Sequence, residues 1–230
     1  MGGYGKDLSP KTSLSALMRR VDSLPGDFRI RLSSVEPEEI DDSFIEAFTS
    51  STRFQPHLHL PLQSASDKVL KKMRRQYLLH RYDSIVNRIC NRIPELNLGT
   101  DLLVGFPSED KDVFHETYNY VKAAPFAYCH VFPFSARPGT SAANYRSEIG
   151  HAEITERAGM LRKLAHQKNL EYRRRFLGKK LRALVLQGTG EALTDNYISA
   201  HLNDRLPLSG IVYVKIHHVD EGSTWGSIVN

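Results

Sequence analysis

The sequence predicts an α/β fold built from repeated strand–helix units and followed by a small β-barrel. Short apolar segments alternate with amphipathic helical patterns through the first two-thirds of the 230 residues. After Gly178 the pattern changes to short alternating segments separated by Gly, Asn, Asp and Pro. Repeated β-α-β units call for parallel strands joined by right-handed crossovers, whereas several short strands in about 50 residues are typical of a small antiparallel barrel.

The first two-thirds of the chain contain about four strand–helix units. The clearest strand signal is HLHLPL, in which leucines at 58, 60 and 62 alternate with His57, His59 and Pro61. The clearest helix signal places Tyr82, Ile85, Val86, Ile89 and Ile93 on one face. The predicted strands are 28–34, 57–62, 102–104 and 126–134, and the predicted helices are 13–24, 38–48, 80–93 and 112–123.

The last third begins with one long helical pattern over residues 151–176, which ends in three consecutive arginines and is broken by Gly178. Strands are predicted at 180–187, 197–201 and 210–218. We therefore divide the chain into a partial β/α barrel (1–150), a basic connecting helix (151–177) and a small barrel (178–230).

The composition, 40% hydrophobic and 25% charged, is that of a soluble globular protein. No apolar run is long enough to cross a bilayer, and two cysteines, Cys90 and Cys129, are too few and too far apart for a disulfide framework or a CxxC metal site. We expect a cytoplasmic protein with no membrane partner.

The net charge of +5 is concentrated in two segments. Residues 151–182 carry ten Lys or Arg against three Glu, and residues 68–92 carry eight against one Asp, so each segment contributes +7. Such a concentration suggests a polyanionic partner, RNA or DNA. A solvated helix face explains the same charge pattern equally well.

Functional groups of a parallel β/α fold gather where strands end. Those positions hold Ser33-Ser34, Gln63-Ser64, Gly105-Phe106-Pro107 and Ser135, although polar turns alone would also explain them. His57 and His59 share one face of a strand and could in principle bind a metal. No cysteine or third ligand stands near them in sequence, so hydrogen-bonded histidines are the favoured interpretation and no metal site is expected.

Four colinear blocks carry a resemblance to a known family. They are RIRLSSVEP (29–37), HLHLPLQSASDKVLKKMRR (57–75), TDLLVGFPSE (100–109) and HVFPFSARPGTSAA (130–143). They resemble blocks of the radical S-adenosylmethionine (SAM) tRNA methylthiotransferases, with Ala65 and Ser108 where that family usually has glycine. Residues 178–230 are similar to the TRAM RNA-binding domain that closes these enzymes, an OB-like barrel.

The resemblance implies methylthiolation of a modified adenosine at position 37 of tRNA, with SAM and [4Fe–4S] clusters as cofactors. The wording of the blocks is most similar to the branch acting on N6-threonylcarbamoyladenosine, and a member acting on isopentenyladenosine is the alternative. The family's CxxxCxxC loop and its amino-terminal domain have no counterpart here. The chain is therefore expected to correspond to barrel strands three to six plus the TRAM domain, to carry no catalytic residue and to be inactive alone.

A non-catalytic RNA-binding protein derived from the same family, or an unrelated β/α-barrel enzyme, would also be consistent with these patterns. The expected partner is tRNA rather than DNA. Because residues 178–230 hold five basic and five acidic residues, RNA binding by that domain is implied by resemblance and not by its charge. Tyr197 and Trp225 could stack on bases or belong to its core.

The resemblance assigns one wall of a SAM pocket and an RNA-binding surface to particular residues. The SAM wall comprises Ser34, Gln63, Ser64, Asp101, Val104, Gly105, Phe106, Pro107, Phe134 and Ser135, with Gly105 allowing a close backbone approach. The RNA-binding surface comprises Arg74, Arg75, Arg137, Arg173, Arg174, Arg175, Lys179, Lys180, Arg182 and Lys215.

Overall fold

A parallel sheet forms the centre of the first part of the chain. A computed structural model describes residues 3–145, 149–202 and 210–229, with only the backbone at Ala143 and Asn144. The strands are β1 (His57–His59), β2 (Asn97–Val104) and β3 (Tyr128–Pro133), in that spatial order. Each runs parallel to its neighbour, as the β-α-β pattern predicts.

Helices connect and cover these strands, and several begin at side chains that accept a hydrogen bond from a backbone amide of the first turn. Asp41 accepts from Phe44 N, and Asp110 accepts from Val113 N. No described helix is long and apolar enough to cross a membrane. The helices are α1 (Leu14–Asp22), α2 (Asp42–Ser50), α3 (Asp67–Lys72), α4 (Leu79–Arg92), α5 (Lys111–Ala123) and α6 (His151–Arg174). The short α3 was not predicted.

The predicted strand at 28–34 is only partly formed. It pairs in parallel fashion with the edge next to β1 at two isolated bridges, Ile30 with Phe54 and Ser34 with His59. Between these bridges the ladder is interrupted, because the amide of His57 donates to the carbonyl of Gln55. The Leu32 carbonyl, which a regular ladder would pair with that amide, lies against the His57 ring instead.

The last part of the chain is a closed five-stranded barrel. Its strands are β4 (Lys180–Leu186), β5 (Glu191–Thr194), β6 (Ser199–Leu202), β7 (Ile211–Val219) and β8 (Thr224–Val229), in the ring order β4-β5-β6-β8-β7. The prediction of an antiparallel barrel needs one correction, because β6 and β8 run parallel. A closed ring with an odd number of strands cannot alternate in direction all the way round, so at least one parallel pair is required.

Helix α6 joins the two parts. Its Leu161 and Leu164 belong to the core beneath the sheet, whereas Tyr172, together with Phe176 just beyond the helix, belongs to the core of the barrel. The side-chain amide of Asn97, at the start of β2, donates to the Asn196 carbonyl in the β5–β6 turn at 2.9 Å. These contacts fix the small barrel against the amino-terminal end of the parallel sheet.

Arg173 is the strongest polar anchor of this junction, and the structure corrects its assignment to RNA. The residue is 9% exposed, and burial lowers the pKa of its guanidinium. The N–H donors of its guanidinium point inward, so the side chain links α6 to the β7–β8 turn. Its five hydrogen bonds go to Asn169 Oδ1, Asp220 O, Glu221 O, Ser223 O and Thr224 Oγ1.

We predict that Arg173→Met lowers the free energy of unfolding by roughly 2–4 kcal/mol, because one buried hydroxyl and three partly buried carbonyl acceptors lose charged donors. The exposed neighbour provides the matched control: Arg174→Met should change it by less than about 0.5 kcal/mol. Urea denaturation followed by circular dichroism measures both. Equal effects of the two substitutions would contradict the anchoring role.

Candidate functional site

One face of the parallel sheet is polar, and the other is packed against helices. Successive side chains of a strand point to opposite faces, so Leu58, Leu98 and Leu102 are fully buried in the core. The other face lines an open cavity of about 650 Å³. Its lining comprises Arg31, Ser33, Ser34, His57, His59, Asn97, Asp101, Tyr128, His130, Phe132, Asn169 and Tyr197.

Gly99 makes room for the central aromatic ring of this cavity. A Cβ atom at position 99 would lie 2.0 Å from Cζ of Tyr128, its cross-strand partner in β3. Without that atom the Tyr128 ring crosses β2 toward β1. Its hydroxyl oxygen then lies 2.9 Å from Nε2 of His57 and 3.1 Å from Nδ1 of His59. A glycine on β2 therefore connects the side chains of β1 and β3.

The hydrogens of this network can be assigned from its acceptors. A carbonyl oxygen only accepts, so Nδ1 of His57 donates to Leu32 O at 3.3 Å. Burial, and then the charge of Arg31, lower the pKa of His57 to about 4, so at neutral pH its Nε2 accepts from the Tyr128 hydroxyl. That hydroxyl has a single hydrogen, and its oxygen must therefore accept from Nδ1 of His59.

Asp101 is the anionic centre of the cavity. Its Oδ1 lies 3.0 Å from Nε2 of His59 and 3.3 Å from Nδ1 of His130. Burial alone would raise the pKa of Asp101, but the hydrogen bonds and charges of the two histidines hold it below its ordinary value. Because Nδ1 of His59 already carries a hydrogen, the 3.0 Å contact is favourable only with a proton or a cation between the two atoms.

His59, Asp101 and His130 form a triad of possible metal ligands. The sequence alone did not place the second and third of these groups near His59. His59, Asp101 and His130 offer ligand atoms that all lie within 4.8 Å of one another. Imidazole and carboxylate are common zinc ligands, and the Tyr128 hydroxyl would orient His59 as an outer partner does. Asp101 comes from β2 and His130 from β3, which only the parallel register brings beside β1.

The small barrel completes the cavity with Tyr197. This residue adopts a left-handed backbone conformation, with φ of 64°, and its amide donates to Thr194 O at 2.8 Å. Its ring lies 4.9 Å from the ring of His57 and under the guanidinium of Arg31, whose Cζ is 3.4 Å from the ring centroid. Tyr197 therefore stacks on residues of the sheet, and Trp225 lies against His201 at 4.8 Å.

Two of the residues assigned to the SAM wall, Ser34 and Asp101, line this cavity. Gln63 continues β1 as an isolated bridge to Leu102 and has a positive φ of 70°. Phe134 is half-buried and Ser135 is exposed beyond β3. Gln63, Phe134 and Ser135 lie beyond the carboxyl ends of β1 and β3, whereas Asp101 lies in the middle of β2.

The remaining residues of that wall are packed inside the fold. The Ser64 hydroxyl is fully buried against Thr117, and Val104 and Phe106 are at most 3% exposed. Pro107 is buried as well. Contacts of these side chains with a cofactor would need rearrangement, so the structure leaves only backbone contacts to them.

The reason for a glycine at 105 also differs from the prediction. Its φ is 81°, and a Cβ atom there would lie 2.7 Å from the side chain of Ile154 on α6. Its amide donates to Glu109, a buried carboxylate that pairs with Arg157 at 3.1 Å. The close approach is thus made by α6, and it is a requirement of folding.

The residues assigned to the RNA-binding surface differ in how they are held. Arg74, Arg137, Arg174 and Lys215 are exposed. Arg75 pairs with Glu36, and Arg182 with Asp195, at 3.1 and 3.0 Å. Arg175 and Lys179 lie over aromatic rings, with Lys179 Nζ 5.1 Å from the Phe176 ring, and Lys180 Nζ lies 4.5 Å from the Tyr213 ring. Once Arg173 is excluded, the charges near the start of β4 are those of Arg174, Arg175, Lys179, Lys180, Arg182 and Lys215.

With this geometry established, comparisons with known proteins assign the chain to a family. The threonylcarbamoyladenosine tRNA methylthiotransferase MtaB of Thermotoga maritima is 35% identical over 202 residues, which cover 86% of this chain and 46% of the relative. The protein of the same name from Bacillus subtilis is 34% identical over 224 residues, 94% of this chain and 50% of the relative. The chain belongs to the tRNA methylthiotransferase family.

The chain is also similar to methylthiotransferases named for a different modified adenosine. The tRNA-2-methylthio-N(6)-dimethylallyladenosine synthase of Streptomyces coelicolor is 35% identical over 190 residues, 83% of this chain and 38% of the relative. The chain spans about half the length, or less, of these methylthiotransferases. A scan against protein-family models gives no match.

A solved structure supports the fold. Coproporphyrinogen III oxidase (HemN) of Escherichia coli, described as a radical SAM enzyme, matches 89% of this chain and 50% of its own with a TM-score of 0.51. At 16% sequence identity this similarity concerns the fold alone. The predictions of a methylthiotransferase relative and of a partial radical-SAM fold followed by a small barrel are confirmed.

The two cysteines of this methylthiotransferase relative do not fit an iron–sulfur cluster. Cys90 lies on α4 and Cys129 on β3, and burial raises the pKa of their thiols to about 11 and about 12. Cluster ligands are thiolates, which form where the thiol pKa is lowered. Neither thiol is therefore suited to hold a cluster.

Sequence analysis missed Arg31 and Tyr128 as residues of the site. Arg31 lies in the first matching block and alternates with Arg29 and Ser33, so its side-chain face could have been inferred from the strand pattern. Tyr128 carries no such signal. Its position depends on the absence of a side chain at Gly99, a contact between two strands.

We predict a loss of stability between pH 6.5 and about 4 that depends on His57. Its pKa is near 6.5 when unfolded and about 4 when folded, so in this window the unfolded chain binds the extra proton. Above pH 6.5 this group leaves the free energy of unfolding unchanged. As the pH is lowered from 6.5 to about 4, that free energy falls by up to about 3 kcal/mol. Urea unfolding at several pH values measures this.

The variant His57→Gln should flatten the difference between pH 6.5 and 4, whatever its effect at neutral pH. The control His218→Gln removes an exposed histidine and should keep the wild-type slope. An unchanged slope in His57→Gln would show that this ring titrates normally in the folded protein.

Proposed function

We propose that this chain is the substrate-binding part of a tRNA methylthiotransferase that acts on N6-threonylcarbamoyladenosine in tRNA. The observation that supports the proposal most is the continuous match to MtaB proteins, which runs through both the parallel sheet and the small barrel. In the fold these two parts meet at one polar cavity, to which both contribute side chains. A flipped nucleoside reached by an RNA-binding barrel requires such a junction.

The cavity suits a polar nucleoside substituent. Its volume of about 650 Å³ lies within the usual range for small-molecule sites. Tyr128, Tyr197 and Phe132 offer rings for stacking, and Arg31 offers donors. Because Asp101 is held between His59 and His130, the cavity presents an orienting set of hydrogen bonds to a bound base.

SAM is the cofactor that the family implies, and it supplies a reactive sulfonium group when bound. Ser34, Gln63 and Ser135 at the carboxyl ends of the strands would hold it by polar contacts, with backbone groups near Gly105 beside them. The chain's part in the reaction is then to hold the nucleoside and the cofactor on the same polar face and to exclude water from it. The clusters of the family would be held by other residues than those of this chain.

The surface around the start of β4 is the proposed contact with tRNA phosphates. Lys180 and Lys215 are directly opposite each other in β4 and β7, and Arg182 lies opposite Tyr213 two residues further. Lysines beside an aromatic ring suit a nucleic-acid backbone with an exposed base. Arg174, Arg175 and Lys179 extend this surface along the end of α6. We place the protein in the cytoplasm, where tRNA is modified.

We predict that the chain binds tRNA with steep salt dependence. Reversing two facing charges, with Lys180→Glu and Lys215→Glu together, should reduce the log–log salt slope by about 0.7–0.9 for each lost phosphate contact. The control reverses Lys11 and Arg20, which are exposed before and on α1, away from this surface. Fluorescence anisotropy at several salt concentrations gives the slopes. Absence of binding at low salt, or equal effects of both pairs, would refute the tRNA surface.

A second prediction concerns the iron–sulfur cluster. After anaerobic reconstitution with iron and sulfide, the purified chain should hold far less than one cluster per molecule, because its two partly buried thiols are protonated at neutral pH. Iron analysis and the visible absorbance of the desalted protein measure this. A stoichiometric cluster that is lost in Cys129→Ser or Cys90→Ser would contradict our interpretation of the two cysteines.

A further inference from the structure

Arg31 is a cation inside the cavity that has no carboxylate partner among the described residues. The two carboxylates that share a cavity with Arg31 have other partners. Asp101 is shared by His59 and His130, and Asp195, which lines a second cavity with Arg31, pairs with Arg182 at 3.0 Å. By contrast, Arg29 on the same segment has a carboxylate, Asp27, at 3.9 Å.

The guanidinium of Arg31 is nevertheless held in place. Its Cζ lies 3.4 Å from the centroid of the Tyr197 ring, a stacking contact that leaves the edge of the planar group, with its N–H donors, free for a ligand. Tyr197 is fixed in turn by its left-handed backbone and by the neighbouring Asn196. The Asn196 side chain bonds to Thr194 and Tyr172 and is 2% exposed.

The position of Arg31 separates it from Gln63 and Ser135 of the proposed cofactor wall, whereas Ser34 and Asp101 of that wall line the same cavity as Arg31. It lines the cavity with His57 and Asn97, which begin β1 and β2, whereas Gln63 and Ser135 lie beyond the carboxyl ends of the strands. A ligand that spans the cavity could therefore meet the cofactor at one end and Arg31 at the other.

From this arrangement we propose that Arg31 is a specificity-determining residue that binds the carboxylate of the substituent on the modified adenosine. A planar guanidinium with free donors matches a carboxylate in two parallel hydrogen bonds. The threonylcarbamoyl group ends in a carboxylate, whereas a dimethylallyl group is a hydrocarbon that would leave Arg31 unpaired. The inference deepens the proposed function and rests on it, because it requires the nucleoside to enter this cavity.

The test compares three anticodon stem-loops of identical sequence, carrying threonylcarbamoyladenosine, isopentenyladenosine or unmodified adenosine at the same position. Their affinities for the full chain are measured by fluorescence anisotropy. The wild-type chain should bind the first loop about tenfold more tightly than the other two, the effect of one charge-assisted hydrogen-bonded pair. Arg31→Gln should abolish that ratio, and Arg31→Lys should retain part of it, since lysine keeps the charge without the planar fork.

Arg29→Gln is the matched control, because it removes the same charge two residues away and should leave the ratio unchanged. Arg31 is exposed and its described contact is the stacking on Tyr197, so Arg31→Gln is expected to fold, as thermal melting checks. Equal affinities of the wild-type chain for all three loops would overturn the inference and leave tRNA binding intact. An unchanged ratio in Arg31→Gln would do the same.

A second arm uses the free nucleoside threonylcarbamoyladenosine, titrated by calorimetry, with inorganic phosphate and SAM as competitors. Nucleoside binding that depends on Arg31 and resists both competitors supports the carboxylate site. If the nucleoside binds in this way and no stem-loop binds, only the proposed function is refuted. Displacement by phosphate would assign Arg31 to the RNA backbone, and displacement by SAM would assign it to the cofactor. Either displacement overturns the inference, as does the absence of binding by both the nucleoside and the stem-loops.

Discussion

The junction between α6, the start of β2 and the β5–β6 turn determines the rest of the site. Arg173 holds the β7–β8 turn from one side, and Asn97 holds the carbonyl of Asn196 from the other. Because both anchors are buried and polar, they set orientation as well as stability, since a misplaced barrel would leave their donors and acceptors unsatisfied. Tyr197 enters the cavity only as a consequence of this alignment.

The cavity contains one charged group with partners, Asp101, and one without a carboxylate partner among the described residues, Arg31. Asp101 lies within hydrogen-bonding distance of His59 and His130, and the hydrogen bonds through Tyr128 and His57 end at a backbone carbonyl. Arg31 has only an aromatic face beneath it. In a partly enclosed site, a satisfied network is rigid and an unpaired cation attracts an anion. The two features divide the cavity into a fixed wall and a recognition point.

Much of this fold could be predicted from hydrophobic periodicity and from the residues that end helices and strands. The alternation at His57–Leu62 and the helical pattern of 80–93 gave elements close to those observed, because burial on one face leaves a clear pattern. The interrupted pairing at 28–34 could not be predicted, since it depends on the hydrogen bond that the His57 amide donates to the Gln55 carbonyl. The charge of Arg173 suggested RNA, but sequence cannot distinguish a solvated arginine from one that caps a distant turn.

The site was predictable at the level of strand ends and not at the level of contacts. Asp101 and Ser34 came from the family resemblance, whereas Arg31 and Tyr128 became visible only with the register of the sheet. The ring of Tyr128 occupies the space that a side chain at position 99 would need. A larger residue at 99 and an aromatic ring at 128 exclude each other, so in any lineage of this protein these two positions should vary as a pair, and the histidine pair on β1 should lose its shared partner when they do.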